Sequence, residues 1–583
     1  SRTKTTTVVR AAKHLYVLAE KILAMDESLP RDWAVHGTTG YDFLAQVNAF
    51  FVDPAGEADM TRVYQDFTGD DTPFEELAYE NKRLILRIAL ASELHMLAHR
   101  FDRLAQRDRR WRDVTLNALI EALAEVIACF GVYRTYISSG DVTDVDRRYI
   151  ESAVEKAKAR APRTEPAIFN FIQDALLQRY PDHFDAEARA EQVRIAGKFQ
   201  QLTSPTAAKG IEDTTFYQYH RLISLNEVGG DPARFGVSPD DLHRFFAERQ
   251  KHWPHAMSTL STHDTKRSED VRARLNVLSE IPDEWRARVT RWREINAGED
   301  PPHPGEAYLL YQTLVGAFPI EAIADDVPAS FIERVTAFMM KAMRESKLRS
   351  TWGQPDEAYE QRVTSFVERI LQSKTFLNDF VPFQKRISRW GMLNSLSQTL
   401  LKLTAPGVPD TYQGTELWDL SLVDPDNRRP VDYGMRQEMM KEIESHDASS
   451  LAASLDDGRA KMLVTMKSLQ ARRTHPGLFC DGDYVALLAK GQAARHVFAF
   501  GRCNEDVCAA VVVPRLVASR ASRTFSTTTI DLPHDWRLRR WKNAFTGSEM
   551  SLNAPALNVG KLFAEFPVTV LIARRSPLPP GEG

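Results

Sequence analysis

The sequence predicts a mixed α/β fold: buried parallel strands separated by long helical stretches, followed by an antiparallel β-domain. Three observations predict it. The run Trp253-Pro-His-Ala-Met-Ser-Thr-Leu260 ends apolar and strand-like. It leads through Ser261-Thr-His-Asp-Thr-Lys-Arg267 into a charged helix. An imidazole and a carboxylate are thereby set at a strand's C-terminal edge, where barrels and open α/β sheets build their sites. Second, His14-Leu-Tyr-Val-Leu-Ala-Glu-Lys-Ile-Leu23 is apolar except at Glu20 and Lys21, as a strand buried on both faces of a parallel sheet reads. Third, beyond about residue 455 the runs Val485–Leu488, Val497–Phe500, Ala509–Val513 and Val568–Ile572 alternate with turn residues, the texture of a β-sandwich.

At 583 residues the chain exceeds one small core, so several domains or one barrel with insertions are expected. The net charge of −4, with both signs interspersed, gives no electrostatic case for nucleic acid or an anionic membrane. No apolar run approaches the roughly 20 residues of a membrane helix. Cys129, Cys480, Cys503 and Cys508 show no metal-site spacing and read as free thiols of a reducing, cytoplasmic compartment. No P-loop or dinucleotide fingerprint is present, so no cofactor and no metal is expected.

Along the chain, Glu20 is either paired with Lys21 or aimed into a site. Glycines 37 and 40 bracket Gly37-Thr-Thr-Gly-Tyr-Asp-Phe43, a loop where backbone and ligand could approach closely. From 55 to 195 the pattern is helical, with apolar stripes at Leu94, Leu97, Phe101 and Leu104 and from Leu116 to Phe130. Arg100, Arg103, Glu121 and Glu125 read as solvent-facing, and Arg107–Arg112 as a solvated turn. Lys209, Glu212, Asp213, Tyr217, Tyr219 and Arg221 crowd one stretch, suited either to sugar rings and hydroxyls or to a structural ion-pair network. Asn226-Glu-Val-Gly-Gly-Asp-Pro232 is a turn. Residues 270 to about 375 are helical again, Asn394–Leu403 is a helix, and Val408–Tyr412 a short strand. The polar loop from Asp419 to Pro430 holds groups that pair with one another. The tail from Ser576 to Gly583 is disordered in character.

Taken together, a Glu at a strand end, a strand ending His-Asp, and Pro406-Gly-Val-Pro-Asp-Thr-Tyr-Gln-Gly-Thr-Glu416 resemble the later motifs of the α-amylase superfamily of glycoside hydrolases. Ala208-Lys-Gly-Ile-Glu-Asp-Thr, Ser224-Leu-Asn-Glu-Val-Gly-Gly and Thr415–Pro430 are similar to its maltooligosyl trehalose synthases, a likeness running from about 15 to 575. It implies a partial (β/α)8 barrel with large helical insertions and a C-terminal antiparallel β-domain. Barrel segments would be 1–54 (acid/base strand), 196–269 (His-Asp strand) and 376–454, with helical insertions at 55–195 and 270–375, a β-sandwich at 455–575 and a tail at 576–583.

The implied activity turns the reducing-end α-1,4 linkage of a maltooligosaccharide into α,α-1,1, forming maltooligosyl trehalose by a retaining double displacement. Glu20 matches the acid/base, in a dry environment its Leu and Ala neighbours would provide. Asp264 matches the carboxylate that holds sugar hydroxyls. His263, Lys266, Lys209, Tyr41, Tyr217 and Arg221 are the implied substrate contacts. The substrate is a maltooligosaccharide or α-1,4-glucan, and coupling to a maltooligosyl trehalose trehalohydrolase is implied. No Arg-x-Asp-His motif supplies the family's nucleophile Asp ahead of the matching strand. The expectation is therefore an incomplete chain, inactive and poorly soluble alone. An α-glucan hydrolase and a non-catalytic glucan-binding remnant are the alternative readings.

Overall fold

Four extended segments lie side by side and carry the rest of the chain. In the computed structural model, which describes residues 15–24, 27–298, 300–324, 326–519, 525–536, 540–551 and 556–574, Ala19 bridges Thr38 in parallel. The Met257 N–H donates to the Thr38 carbonyl (3.1 Å), and the strand Met257–Ser258 pairs in parallel with Val408–Pro409. Such regular pairing is short. The strand expected to run to Leu260 is two residues long.

Gly37 (φ 145°) and Gly40 (φ 102°) explain how the segments close up: a Cβ would stand 2.2 Å from the Ala256 Cβ at the first and 2.7 Å from the Met257 carbonyl oxygen at the second. The close approach expected of a ligand at these glycines is made here by the neighbouring strand. Buried Arg249 stitches the same region, donating to the Pro406 carbonyl (2.9 Å), the Met257 carbonyl (2.5 Å) and Asp42 (3.1 Å).

The run read as a strand buried on both faces is not one. His14 lies outside the described residues, and Leu15, Tyr16 and Val17 are 75%, 49% and 43% exposed. The backbone bonds at 17–19 go to 36–39, and the opposite edge has no partner among the described residues.

Two cores organise the helices. One gathers residues from Phe43 to Val570, including the aromatic cluster of Trp285, Trp292, Tyr308 and Phe383. The other gathers buried residues from Leu86 to Leu202, with Ala24 packed against it, and helix Ala91–Ala105 buries the expected stripe of Leu94, Leu97, Phe101 and Leu104. Helix Ala186–Ala207 runs across residue 195, and Asn394–Leu403 belongs to one helix, Lys374–Thr404. Glu125, read as solvent-facing, is 4% exposed because Tyr79 (2.7 Å) and Arg83 (2.7 Å) satisfy its carboxylate.

At the C-terminus a six-stranded antiparallel sheet, which includes Asp483–Leu487, Val497–Cys503, Val507–Pro514 and Thr569–Arg574, accompanies a three-stranded one. Leu487, Ile530, Trp541, Leu557 and Leu571 belong to a common core there. Helix Arg459–Thr474, beyond 455, instead contributes Met462, Leu463 and Val464 to the first core. The tail 576–583 lies outside the described residues. Cys503 and Cys508, expected as free thiols, form a disulfide, because the hairpin register sets them opposite each other with Cα atoms 4.2 Å apart. Cys129 and Cys480 are free. No helix among the described residues is long and apolar enough to cross a membrane.

The sheet docks through polar contacts: Arg495 to Asp53 (2.6 Å), Arg515 to the Phe50 carbonyl (2.8 Å) and the Ser519 N–H to Glu280 (2.9 Å). Burial pushes the Glu280 carboxyl up to about 7 against the opposing bonds from Ser519. A carboxyl raised in the native state keeps its proton there while the unfolded chain loses it, so stability falls as pH rises from about 4.5 through about 7. Glu280→Gln is expected to stabilise the protein by about 1–3 kcal/mol at pH 8, with the difference narrowing toward pH 5. Thermal melts at several pH values check this; a pH-independent difference would refute it.

Candidate functional site

The C-terminal ends of the extended segments hold the chemistry. Glu20 follows Ala19, Tyr41 opens the helix Tyr41–Phe50 just after Thr39, and the turn Thr262–Thr265 follows the third segment. That turn is self-contained: the Thr265 hydroxyl donates to the Thr262 carbonyl (2.8 Å), and the Asp264 N–H donates to the Thr262 Oγ1 (3.1 Å). Asn427 steadies it from the loop after the fourth segment, donating to the His263 carbonyl (3.0 Å).

Tyr41 marks where these ends meet. Its ring is buried, and its hydroxyl lies 3.1 Å from Thr262 Oγ1. Burial above all pushes that hydroxyl up to about 12; Thr262 opposes the rise, while the negative charges of Asp264, Glu20 and Glu227 add to it. The charges of Glu20 and Asp264, 244 positions apart (264 − 20), thus both bear on the Tyr41 hydroxyl. Lys21 pairs with Glu27 (2.5 Å), which leaves Glu20 free of that alternative. Glu20 is exposed, so Leu18 and Ala19 do not make the dry surroundings expected for it. His263 and Asp264 are exposed too, and none of these three side chains has a hydrogen bond among the described residues.

A second cluster centres on Asp213. Lys266 reaches it at 3.1 Å and Lys209 at 3.8 Å. Burial lowers the Lys266 ammonium, but Tyr217, Asp213 and Glu212 together raise it above its usual range. Tyr217 is buried with its ring 6.0 Å from the Lys266 nitrogen, so its faces serve the lysine and are closed to a sugar. Glu212, bonded by the Tyr133 hydroxyl, is pushed up to about 7 chiefly by burial. Arg221 is a correction: it is 6% exposed and its guanidinium is taken up by Glu57 (3.2 Å), Thr61 (3.2 Å) and the Pro232 carbonyl (2.6 Å), contacts of a scaffold. At Arg221 the network reading prevails.

Two residues were not legible as site residues. Lys347, in a left-handed conformation (φ 58°), donates to Thr214 Oγ1 (3.0 Å) beside Asp213. Glu227, inside what reads as a plain turn, is 1% exposed and accepts the N–H groups of Val228 (3.0 Å), Lys266 (2.7 Å) and Arg267 (3.1 Å) and the Arg272 guanidinium (3.1 Å). With both oxygens so committed, it is not free to act as acid or nucleophile.

Behind the turn, Lys461 is fully buried between Asp270 (2.8 and 3.0 Å), Glu269 (3.0 Å) and the Leu417 carbonyl (3.2 Å). The Glu269 N–H donates to Ser261 (2.9 Å), and Asp270 accepts the Asp419 N–H (2.7 Å), so this cluster backs both flanks of the site. Among the described residues no group of three or more His, Cys, Asp or Glu side chains is placed to hold a metal ion.

No family model matches the chain. Two curated proteins named putative maltooligosyl trehalose synthase, from two strains of Mycobacterium tuberculosis, are 34% identical over 558 residues, 96% of this chain. The chain spans 65% of the length of these relatives. Among solved structures, the maltooligosyltrehalose synthase of Arthrobacter ramosus superposes with a TM-score of 0.82 at 34% identity, over 96% of this chain and 66% of that one. The hypothetical maltooligosyl trehalose synthase of Sulfolobus tokodaii superposes at 0.71 with 29% identity, over 96% and 65%.

Proposed function

We propose, from a kinship with the maltooligosyl trehalose synthases that runs over 96% of this chain, that its site works in converting a reducing-end α-1,4 glucosidic linkage to α,α-1,1. The observation that carries the reading is that the charges of Glu20 and Asp264 both bear on the buried Tyr41 hydroxyl, which lies 3.1 Å from Thr262 beside Asp264. Glu20 is the acid/base: it protonates the leaving glycosidic oxygen and later deprotonates the attacking 1-hydroxyl. Asp264 holds sugar hydroxyls and favours the oxocarbenium-like ring, with His263 beside it. Lys266 and Lys209 face the glucose that must stay and return as acceptor. The substrate is a maltooligosaccharide, and the product suits a maltooligosyl trehalose trehalohydrolase.

Retention through a covalent intermediate needs a second carboxylate about 5–5.5 Å from the acid/base. The carboxylates whose charges most raise the Tyr41 hydroxyl are Asp264, Glu20 and Glu227. Glu227 is committed, and Asp264 is assigned to the sugar. The polypeptide by itself is therefore expected to bind maltopentaose without turning it over. Calorimetric titration, with assays of reducing ends and trehalose-capped product, tests this. Loss of reducing ends without glucose release would mean that a nucleophile lies within this chain. The exposure of Glu20 and Asp264 favours a second reading, an α-glucan hydrolase, because water reaches the site. Glucose release without capped product would select it.

A further inference from the structure

We propose that Glu227 is a positioning residue: with Arg272 it sets where the turn carrying Asp264 and Lys266 stands at the end of the third extended segment. The Asp264 carboxylate has no hydrogen bond among the described residues, so its direction is inherited from its backbone. Within the turn, that backbone is held by the Thr262 and Thr265 contacts and by Asn427, which donates to the His263 carbonyl. Immediately after it, two successive N–H groups, of Lys266 and Arg267, converge on the Glu227 carboxylate (2.7 and 3.1 Å).

Arg272 closes the frame. It is 1% exposed, pairs with Glu227 at 3.1 Å, and donates to the Arg267 carbonyl (2.5 Å) and to the Leu260 carbonyl. Leu260, two positions before the turn, and the two residues after it are thus tied through one buried ion pair to the first turns of helix Glu269–Asn276. Lys266 leaves this pinned backbone to reach Asp213. The two clusters of the site therefore take their relative placement from a side chain that bonds the Lys266 backbone N–H and not its ammonium. A shift of about 1 Å at such a frame is enough to lower activity or affinity by about 100-fold.

The consequence for glucan rests on the function proposed above, but the placement itself does not, and the experiment separates them. Glu227→Gln and Glu227→Asp are made in the full chain. Hydrogen exchange over residues 261–268 is followed by mass spectrometry, and maltopentaose is titrated calorimetrically. The amide variant leaves one oxygen for three backbone N–H donors and turns an N–H2 toward Arg272. Its exchange over 261–268 is expected to accelerate roughly 100-fold, with helix Pro239–His252 unchanged. Maltopentaose affinity should fall about tenfold. Glu227→Asp keeps the charge and is expected to recover most of both; it also carries the test if the amide variant does not fold. Unchanged exchange over 261–268 in the amide variant overturns the proposal. So does acceleration everywhere at once with no recovery by Asp, which would mean general fold support. Failure of the unaltered chain to bind maltopentaose would overturn the glucan reading, and the exchange result would still decide the role of Glu227.

Discussion

Glu20→Gln is expected to lower turnover of maltopentaose by about 10²–10⁴-fold while leaving KM nearly unchanged. The host is this chain joined to the part of a maltooligosyl trehalose synthase that it does not span. The amide has the size of the carboxyl and keeps its contacts to a bound sugar, but it cannot deliver a proton to the leaving oxygen or take one from the attacking hydroxyl. Both halves of a double displacement need that exchange, so the loss belongs to kcat. The substituted residue is exposed and has no bond to break among the described residues, so the fold is not at stake. Steady-state kinetics on capped product, beside a binding titration, check it. Unchanged turnover removes Glu20 from the mechanism, and a rise in KM alone makes it a binding residue.

The largest loss of stability is expected from Lys461→Met. The ammonium is fully buried between Asp270 and Glu269, whose negative charges raise it well above its usual range against the lowering effect of burial. Methionine fills nearly the same volume, so no cavity explains the result. Two buried carboxylates are left with Lys402, which bonds Thr411 at 3.4 Å, Arg272 and Arg274 as nearby cations. Breaking a buried pair from one side costs about 3–5 kcal/mol. The variant's carboxyls must then hold protons in the native state, so its stability should drop further as pH rises above about 4. Chemical denaturation at pH 5 and pH 8 measures both effects. A loss under about 1 kcal/mol at both values would show that the cluster relaxes or hydrates.

What could be read from the sequence followed from local rules. The strands Val497–Cys503 and Val507–Pro514 were legible because apolar runs lie between turn residues. Helix Ala91–Ala105 was legible because its stripe has the helical period. His263 and Asp264 stood out through the strand-to-helix change around them. Partnership was harder. The apolar run at Leu15 to Val17 announces burial, but whether a neighbour covers it is a tertiary fact. Glu125 is polar and still internal because Tyr79 and Arg83 come from another helix. Cys503 and Cys508 become neighbours only once the hairpin register is set. Glu227 falls in the motif Ser224-Leu-Asn-Glu-Val-Gly-Gly, but its role was hidden, since its four donors lie next door and about 40 positions downstream.

The bond from the Met257 N–H to the Thr38 carbonyl closes a loop of 219 positions (257 − 38). Ring-closure entropy grows only logarithmically, about 0.6 kcal/mol for each doubling of length. A direct connection of some 27 residues would need three doublings to reach this size, a penalty of only about 2 kcal/mol. The stretch between Leu86 and Leu202 brings its own apolar interior, so the added length largely supports itself. Between the ends of its short strands, the chain can lengthen its excursions at little thermodynamic expense, and Tyr41 still meets Thr262 at the same place.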